Sequence, residues 1–223
     1  MQTFATTAPI TTIVDIPAGH LRFIAADRSD ATVEVRPANA AKSRDVKAAE
    51  DTTVTFTDGV LRITAPVAKN QLFGQTGFVD VTVQLPAGSS VQATAAAADL
   101  HGAGRLGDVT FDAAQGPVSL DEAGSVRVSL QDGGIAIGRL NGSADLTTAR
   151  GDLTITEATT GTVTLTTQAG SITVGAAPGV SATLDAGTTL GRIQNTLQNA
   201  QGSDADLAIR ATTALGDITA HSK

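Results

Sequence analysis

The stretch VRVSLQDGGIAIGRLNGSADLTTARGDLTITEATTGTVTLTTQAG, Val126 to Gly170, decides the fold. Glycine closes each short segment in it, at 133, 142, 151, 161 and 170, and the spacing extends outward to 107, 116, 124 and 179. Steps of eight to ten residues, repeated this often, mark a repeat architecture. The segments are of two alternating kinds. One reads VRVSLQDG from Val126, ADLTTARG from Ala144 and VTLTTQAG from Val163; the other reads IAIGRLNG, DLTITEATTG and SITVGAAPG. The period is therefore about 18 residues, with two strands in each.

Inside each segment apolar and polar residues alternate. Val126, Val128 and Leu130 alternate with Arg127 and Ser129; Leu153 and Ile155 flank Thr154; Ile172 and Val174 flank Thr173. A period of two buries one face of a strand. Strands this short, with glycine at every corner, suit neither a sandwich nor a barrel, which want longer strands and hairpin turns. They suit an all-β parallel β-solenoid, in which each turn lies ~4.8 Å above the last and buries its apolar face against its neighbours. A right-handed β-helix is expected, because the hexapeptide signature of left-handed coils is absent.

Composition agrees. Of 223 residues 41% are hydrophobic but only 3% aromatic, with six Phe and neither Trp nor Tyr, so the core is narrow. Charged residues are 17% and the net charge is -7, which leaves no basic footprint for nucleic acid. The absence of cysteine removes disulfides, thiolate metal sites and Cys nucleophiles. No run of ~18 apolar residues is present, so no membrane insertion is expected. The first twenty residues hold no Lys or Arg and no signal-peptide core. The chain as written is expected in the cytoplasm, with the cell surface as the alternative if a leader has been removed.

Segments of the first kind open at Val91, Val109, Val126, Ala144, Val163, Val180 and Leu207. The last step, of 27, reads as one repeat plus a polar insertion near 195–206. Residues 91–223 are thus expected to form the regular solenoid. Residues 1–90 are expected to supply opening strands, an inserted hairpin and a cap over its N-terminal end, all as one continuous domain. Leu21 to Phe23 and Val33 to Val35 look like a first- and second-kind pair. Asp51 to Pro66 reads as a hairpin turning at Asp58-Gly59. Ile16-Pro-Ala-Gly, Leu85-Pro-Ala-Gly and Ala176-Ala-Pro-Gly read as breaks.

The opening TTIVDIPAGHLRFIAADRSDATVEV, the strand and turn VTVQLPAG, and the steps Gly151-Asp152-Leu153, Gly170-Ser171-Ile172 and Gly216-Asp217-Ile218 resemble the bacterial putative-adhesin family of unknown function, whose members carry β-strand repeats. The resemblance runs from roughly 10 to 220. It implies a single-stranded β-helix and a role in attachment or scaffolding. It brings no catalytic or ligand residues.

No constellation of chemistry stands out. His20, His101 and His221 lack ligand spacing. Asp112, Asp121, Glu122 and Asp132 fall near successive corners and could hold Ca²⁺ loosely, but the Gly-Gly-x-Gly-x-Asp tandem is missing and solvated turns explain them. The loops are too short to build the groove of a polysaccharide-cleaving β-helix enzyme. An outward column Ser129, Thr147, Thr166, Thr183, with Thr164 and Ser181 beside it, is expected, as is Thr154 above Thr173. Flat threonine arrays can order water or ice, but Arg127, Arg139 and Asp145 interrupt these faces and threonine is simply a good strand residue. Arg127 and Asp145 should be neighbours one turn apart. Catalytic, cofactor-binding and metal residues are all expected to be none. The expected function is a non-enzymatic β-helical scaffold or protein-interaction module, with surface adhesion or glycan binding as the alternative. Its partner is an unknown protein or a second copy bound through a solenoid end.

Overall fold

The computed structural model describes residues 1–65 and 77–223. It divides into two compact units, Met1–Gly116 and Pro117–Lys223.

The first unit contains β1 (Gln2–Ala5), β2 (Thr11–Ala26), β3 (Asp30–Pro37), α1 (Ser43–Asp51), β4 (Thr53–Thr57), β5 (Val60–Thr64), β6 (Val79–Pro86), β7 (Ser90–Arg105) and β8 (Val109–Gln115). Its frame is two long strands, β2 and β7, each a whole turn of coil. They run parallel from the Thr11–Ser90 pair to the Ile24–Ala103 pair. On the other side of β2, the first arm pairs in parallel with β5 and the second arm with β6. The Ile16-Pro-Ala-Gly break is therefore not a break: β2 runs through it. Gly19 permits this, since a Cβ there would lie 2.0 Å from the Val79 carbonyl oxygen. Leu21 to Phe23 proves to be the second arm of a turn whose first arm is Thr11 to Ile16. Val33 to Val35 belongs to no rung, because β3 runs antiparallel to β6.

Antiparallel strands finish this unit. β1 pairs with β3, and β4 pairs with β5 around Asp58-Gly59 as the turn chemistry required; Pro66 of that hairpin lies outside the described residues. Phe4 of β1 and Phe56 of β4 meet with ring centroids 5.2 Å apart. The helix α1 was not legible in the sequence. It is fixed by Asp45, which is buried and accepts the Phe78 N–H at 3.0 Å. Phe23 and Phe111 are fully buried and fill the core with Leu21, Val81, Val83 and Leu100.

The second unit contains β9 (Val118–Ala123), β10 (Val126–Asp132), β11 (Ile135–Leu140), β12 (Ala144–Arg150), β13 (Leu153–Ala158), β14 (Gly161–Ala169), β15 (Ile172–Ala176), β16 (Ala182–Leu190), β17 (Ile193–Thr196), β18 (Leu207–Leu215) and β19 (Ile218–Ser222). All its ladders are parallel. One arm stacks β10, β12, β14, β18 and β16 in that order. The other stacks β9, β11, β13, β15, β19 and β17. The sequence expectation of rungs in chain order fails here. After β15 the chain skips a level, builds the outer rung β16–β17, and returns to lay β18–β19 inside it. The skip occurs at Ala176-Ala-Pro-Gly, and the polar insertion is the path back.

Side-chain chemistry explains the exchange. The inward column of the second arm is Ile137, Ile155, Val174, Ala220 and then Asn195. An asparagine there would be buried if β17 lay inside, at a cost of a few kcal/mol without partners. At the edge it is exposed and its Oδ1 accepts the Leu197 N–H at 3.0 Å. The inserted rung is the better core piece: Leu207, Ile209, Ala211, Ile218 and Ala220 are all buried.

The exchange also corrects the register. Val180 lies outside β16, which begins at Ala182, and Val163 pairs with Ile209 rather than with Leu207. The outward column continues from Ser129, Thr147 and Thr166 to Thr212, not to Thr183, which pairs with Ala208. Ser181 is buried, and its Oγ accepts the N–H groups of Ala200 and Gln201, tying down the returning loop. Thr154 stacks on Thr173 as expected, and Thr219 extends that column. Arg127 pairs in register with Asp145, with Nε 3.9 Å from Oδ2 and both side chains exposed.

Candidate functional site

Ordinary solvated polar residues cover most outward positions. Two places depart from that pattern.

The first is on the second arm of the first unit. There β7, β2, β6 and β3 lie side by side, and their register sets two rows of outward side chains. One row is Asp99, His20, Asp80, Arg36; the next is His101, Arg22, Thr82, Glu34. Sequence separation hides both rows, because only the parallel pairing of β2 with β6 and β7 brings residue 20 beside 80 and 99. The His20 Nδ1 lies 2.7 Å from Asp80 Oδ1, and since a carboxylate only accepts, that nitrogen carries the proton. The Nε2 lies 3.6 Å from Asp99 Oδ2, too far for a hydrogen bond. Arg36 donates to Glu34 at 2.7 Å. Arg22 has no hydrogen bond or ion pair among the described residues. Between β2, β3 and β6 the residues His20, Arg22, Glu34, Arg36, Asp80 and Thr82 line a cleft of about 370 Å³, the size of a small-ligand site.

The second is the outer rung of the second unit. β16 and β17 each have a ladder on one side, to β18 and β19. Their other edges carry no strand among the described residues of this unit. Every residue of β17 is exposed, and Leu190 and Ile193 are 66% and 46% exposed. Leu215, the register partner of Leu190, is 51% exposed beside it.

The other sequence candidates are scattered. His221 pairs in register with Gly175, far in the chain from the other histidines. Glu122 accepts a hydrogen bond from Asn141, and Asp132 pairs with Arg150 at 3.1 Å. Asp112 stands exposed on β8. Among the described residues no group of three or more His, Asp or Glu side chains is placed to hold a metal ion. No helix among them is long and apolar enough to cross a membrane.

Parallel two-strand rungs, a glycine at each corner and an aliphatic core define an all-β solenoid of the β-helical class. Within that class the chain belongs to the Toastrack DUF4097 family, which it matches over residues 8–221. Among solved structures it is similar to one described as a putative adhesin from Bacteroides fragilis NCTC 9343, at 13% identity, covering 98% of this chain and 95% of that one with a TM-score of 0.51. A second, described as a putative adhesin from Parabacteroides distasonis ATCC 8503, is 17% identical, with coverage of 98% and 95% and a TM-score of 0.45. No curated protein matches the sequence. The family match agrees with the resemblance carried by the Gly-Asp-Leu and Gly-Asp-Ile corners. Those corners have a physical role: the Asp152 carboxylate accepts the Ser171 N–H at 2.7 Å, and that of Asp217 accepts the Arg192 N–H at 2.8 Å, each from the adjacent rung.

Proposed function

We propose that the chain is a non-catalytic β-helical scaffold, and that one of its partners is a second copy bound through the β16–β17 edge. The observation that carries this reading is that edge. A sheet edge presents a row of free N–H and C=O groups that recruit another strand unless charge, proline or a covering segment blocks them. Between Ala182 and Thr196 the only charged residues are Asp185 and Arg192, and there is no proline. Leu190, Ile193 and Leu215 add apolar surface at the corner. An occupant must offer two short strands joined through a matching corner, so that both arms pair at once. A second copy's own outer rung meets that requirement through a two-fold arrangement, in which each edge pairs with itself.

The test is sedimentation velocity over a wide concentration range, on the whole chain and on a Leu190→Lys, Ile193→Lys variant. Concentration-dependent dimer in the parent and monomer in the variant is the expected result. A parent that stays monomeric at the highest concentration overturns the self-association. A second reading, surface adhesion, is favoured by the description of the Bacteroides fragilis structure as a putative adhesin. Fractionation of the native host decides between compartments: recovery of untagged protein at the cell surface supports adhesion, and recovery only in cytosol removes it.

A further inference from the structure

We infer that the cleft on the first unit binds an acidic sugar, with Arg22 taking the carboxylate and the neighbouring acids taking hydroxyls. The three basic side chains that line the cleft are not equivalent. His20 is held by Asp80 at 2.7 Å and Arg36 by Glu34 at 2.7 Å. Arg22 lines the same cleft and has no partner among the described residues. A guanidinium is a planar fork of donors that matches a carboxylate through two parallel hydrogen bonds. Thr82, the register partner of Arg22, offers a hydroxyl on the cleft side, and His101 adjoins Arg22 on the other.

The rest of the lining selects among anions. Glu34 and Asp80 border the cleft, so a dianionic phosphate would meet two carboxylates as well as one free arginine. A monoanionic carboxylate on a ring of hydroxyls fits both halves. Its charge goes to Arg22, and its hydroxyls donate to carboxylate oxygens that accept only. A neutral sugar leaves Arg22 unpaired, and a bare carboxylate leaves the acids unused. Among the described residues no Phe, Tyr or Trp lines the cleft, so binding rests on hydrogen bonds, and a single sugar should bind with a Kd of about a millimolar.

The experiment is an amide-resolved NMR titration of the whole chain with D-glucuronate, and in parallel with D-glucose, acetate and inorganic phosphate. Expected are saturable shifts at His20, Arg22 and Thr82 with glucuronate, weaker by about tenfold or more for the other three probes. The Arg22→Ala chain should lose about tenfold in affinity at an unchanged melting temperature, and Arg22→Lys, which keeps charge but not the fork, should fall between. Absence of saturable shifts with glucuronate overturns the proposal. So does equal binding of glucose, acetate or phosphate, or binding that Arg22→Ala leaves intact. Leu190→Lys, Ile193→Lys should bind glucuronate like the parent, which separates a failure here from a failure of the self-association reading.

Discussion

At the scale of single residues the coil is held by close backbone approach. Down one corner run Gly133, Gly151, Gly170, Gly216 and Gly191, and a Cβ on each of the last four would lie within 2.2 Å of the carbonyl oxygen of the glycine on the adjacent rung. Gly170→Ala should therefore destabilise by about 2–3 kcal/mol, measured by urea unfolding. Beside that corner Thr148, Thr167 and Thr213 donate to the same carbonyls, of Gly133, Gly151 and Gly170, at 3.0–3.2 Å. Thr167→Val should cost about 1 kcal/mol. Thr12 is the opposite case: its Oγ1 is buried and has no partner among the described residues. Thr12→Val should raise stability by about 1 kcal/mol, because the methyl keeps the shape and the unsatisfied hydroxyl is gone. One carboxyl carries a pH signature. The hydrogen bond from Arg28, 2.8 Å from Nε to Oδ1, holds Asp30 below the usual carboxylate value. Its stabilisation is present above the unfolded pKa and is lost as pH falls through the lowered folded value. Arg28→Ala should flatten the fall in melting temperature below about pH 4.

At the scale of elements, what the sequence showed and what it hid divide cleanly. Two-residue alternation and glycine spacing fixed β10 to β15 and the Arg127–Asp145 pairing, because every rung there follows the last. The order of the final rungs was hidden, because all first-kind segments share one pattern and any of them can stack on any other. The clue lay in Asn195, a polar residue at an inward position that only an edge tolerates. The charged cleft was hidden for another reason. Neither His20 nor Arg22 has a partner nearby in sequence, and both rows exist only once β3 has folded back antiparallel onto β6. The inserted rung makes its own prediction. Truncation after Ala200 removes β18–β19 and with them the ladders of β16 and β17. Hydrogen exchange should then show the amides of 182–196 losing protection. A chain stacked in sequence order would lose only its last rung and keep them protected.

At the scale of the molecule, each unit solves the problem of a solenoid end in its own way. The first closes with antiparallel strands and the Phe4–Phe56 contact; the second ends on an exposed rung with few charges. Ion pairs between adjacent rungs, such as Arg139 with Glu157 at 3.0 Å and Arg150 with Asp132 at 3.1 Å, are solvent-facing and contribute about 0–1 kcal/mol each, so moderate salt should leave the melting temperature nearly unchanged. Packing of aliphatic columns carries the stability, and the order in which rungs stack decides which surface is left for partners. That order is tested most directly by disulfide trapping. Thr166 and Thr212 are register partners on adjacent strands, whereas Thr166 and Gly187 lie two rungs apart, about 9.6 Å, beyond the ~7 Å that a disulfide can span. In this cysteine-free chain, Thr166→Cys with Thr212→Cys should cross-link rapidly under mild oxidation, and Thr166→Cys with Gly187→Cys should remain reduced. Cross-linking of the second pair and not the first would show that the rungs stack in chain order and that the exposed edge is not β16–β17.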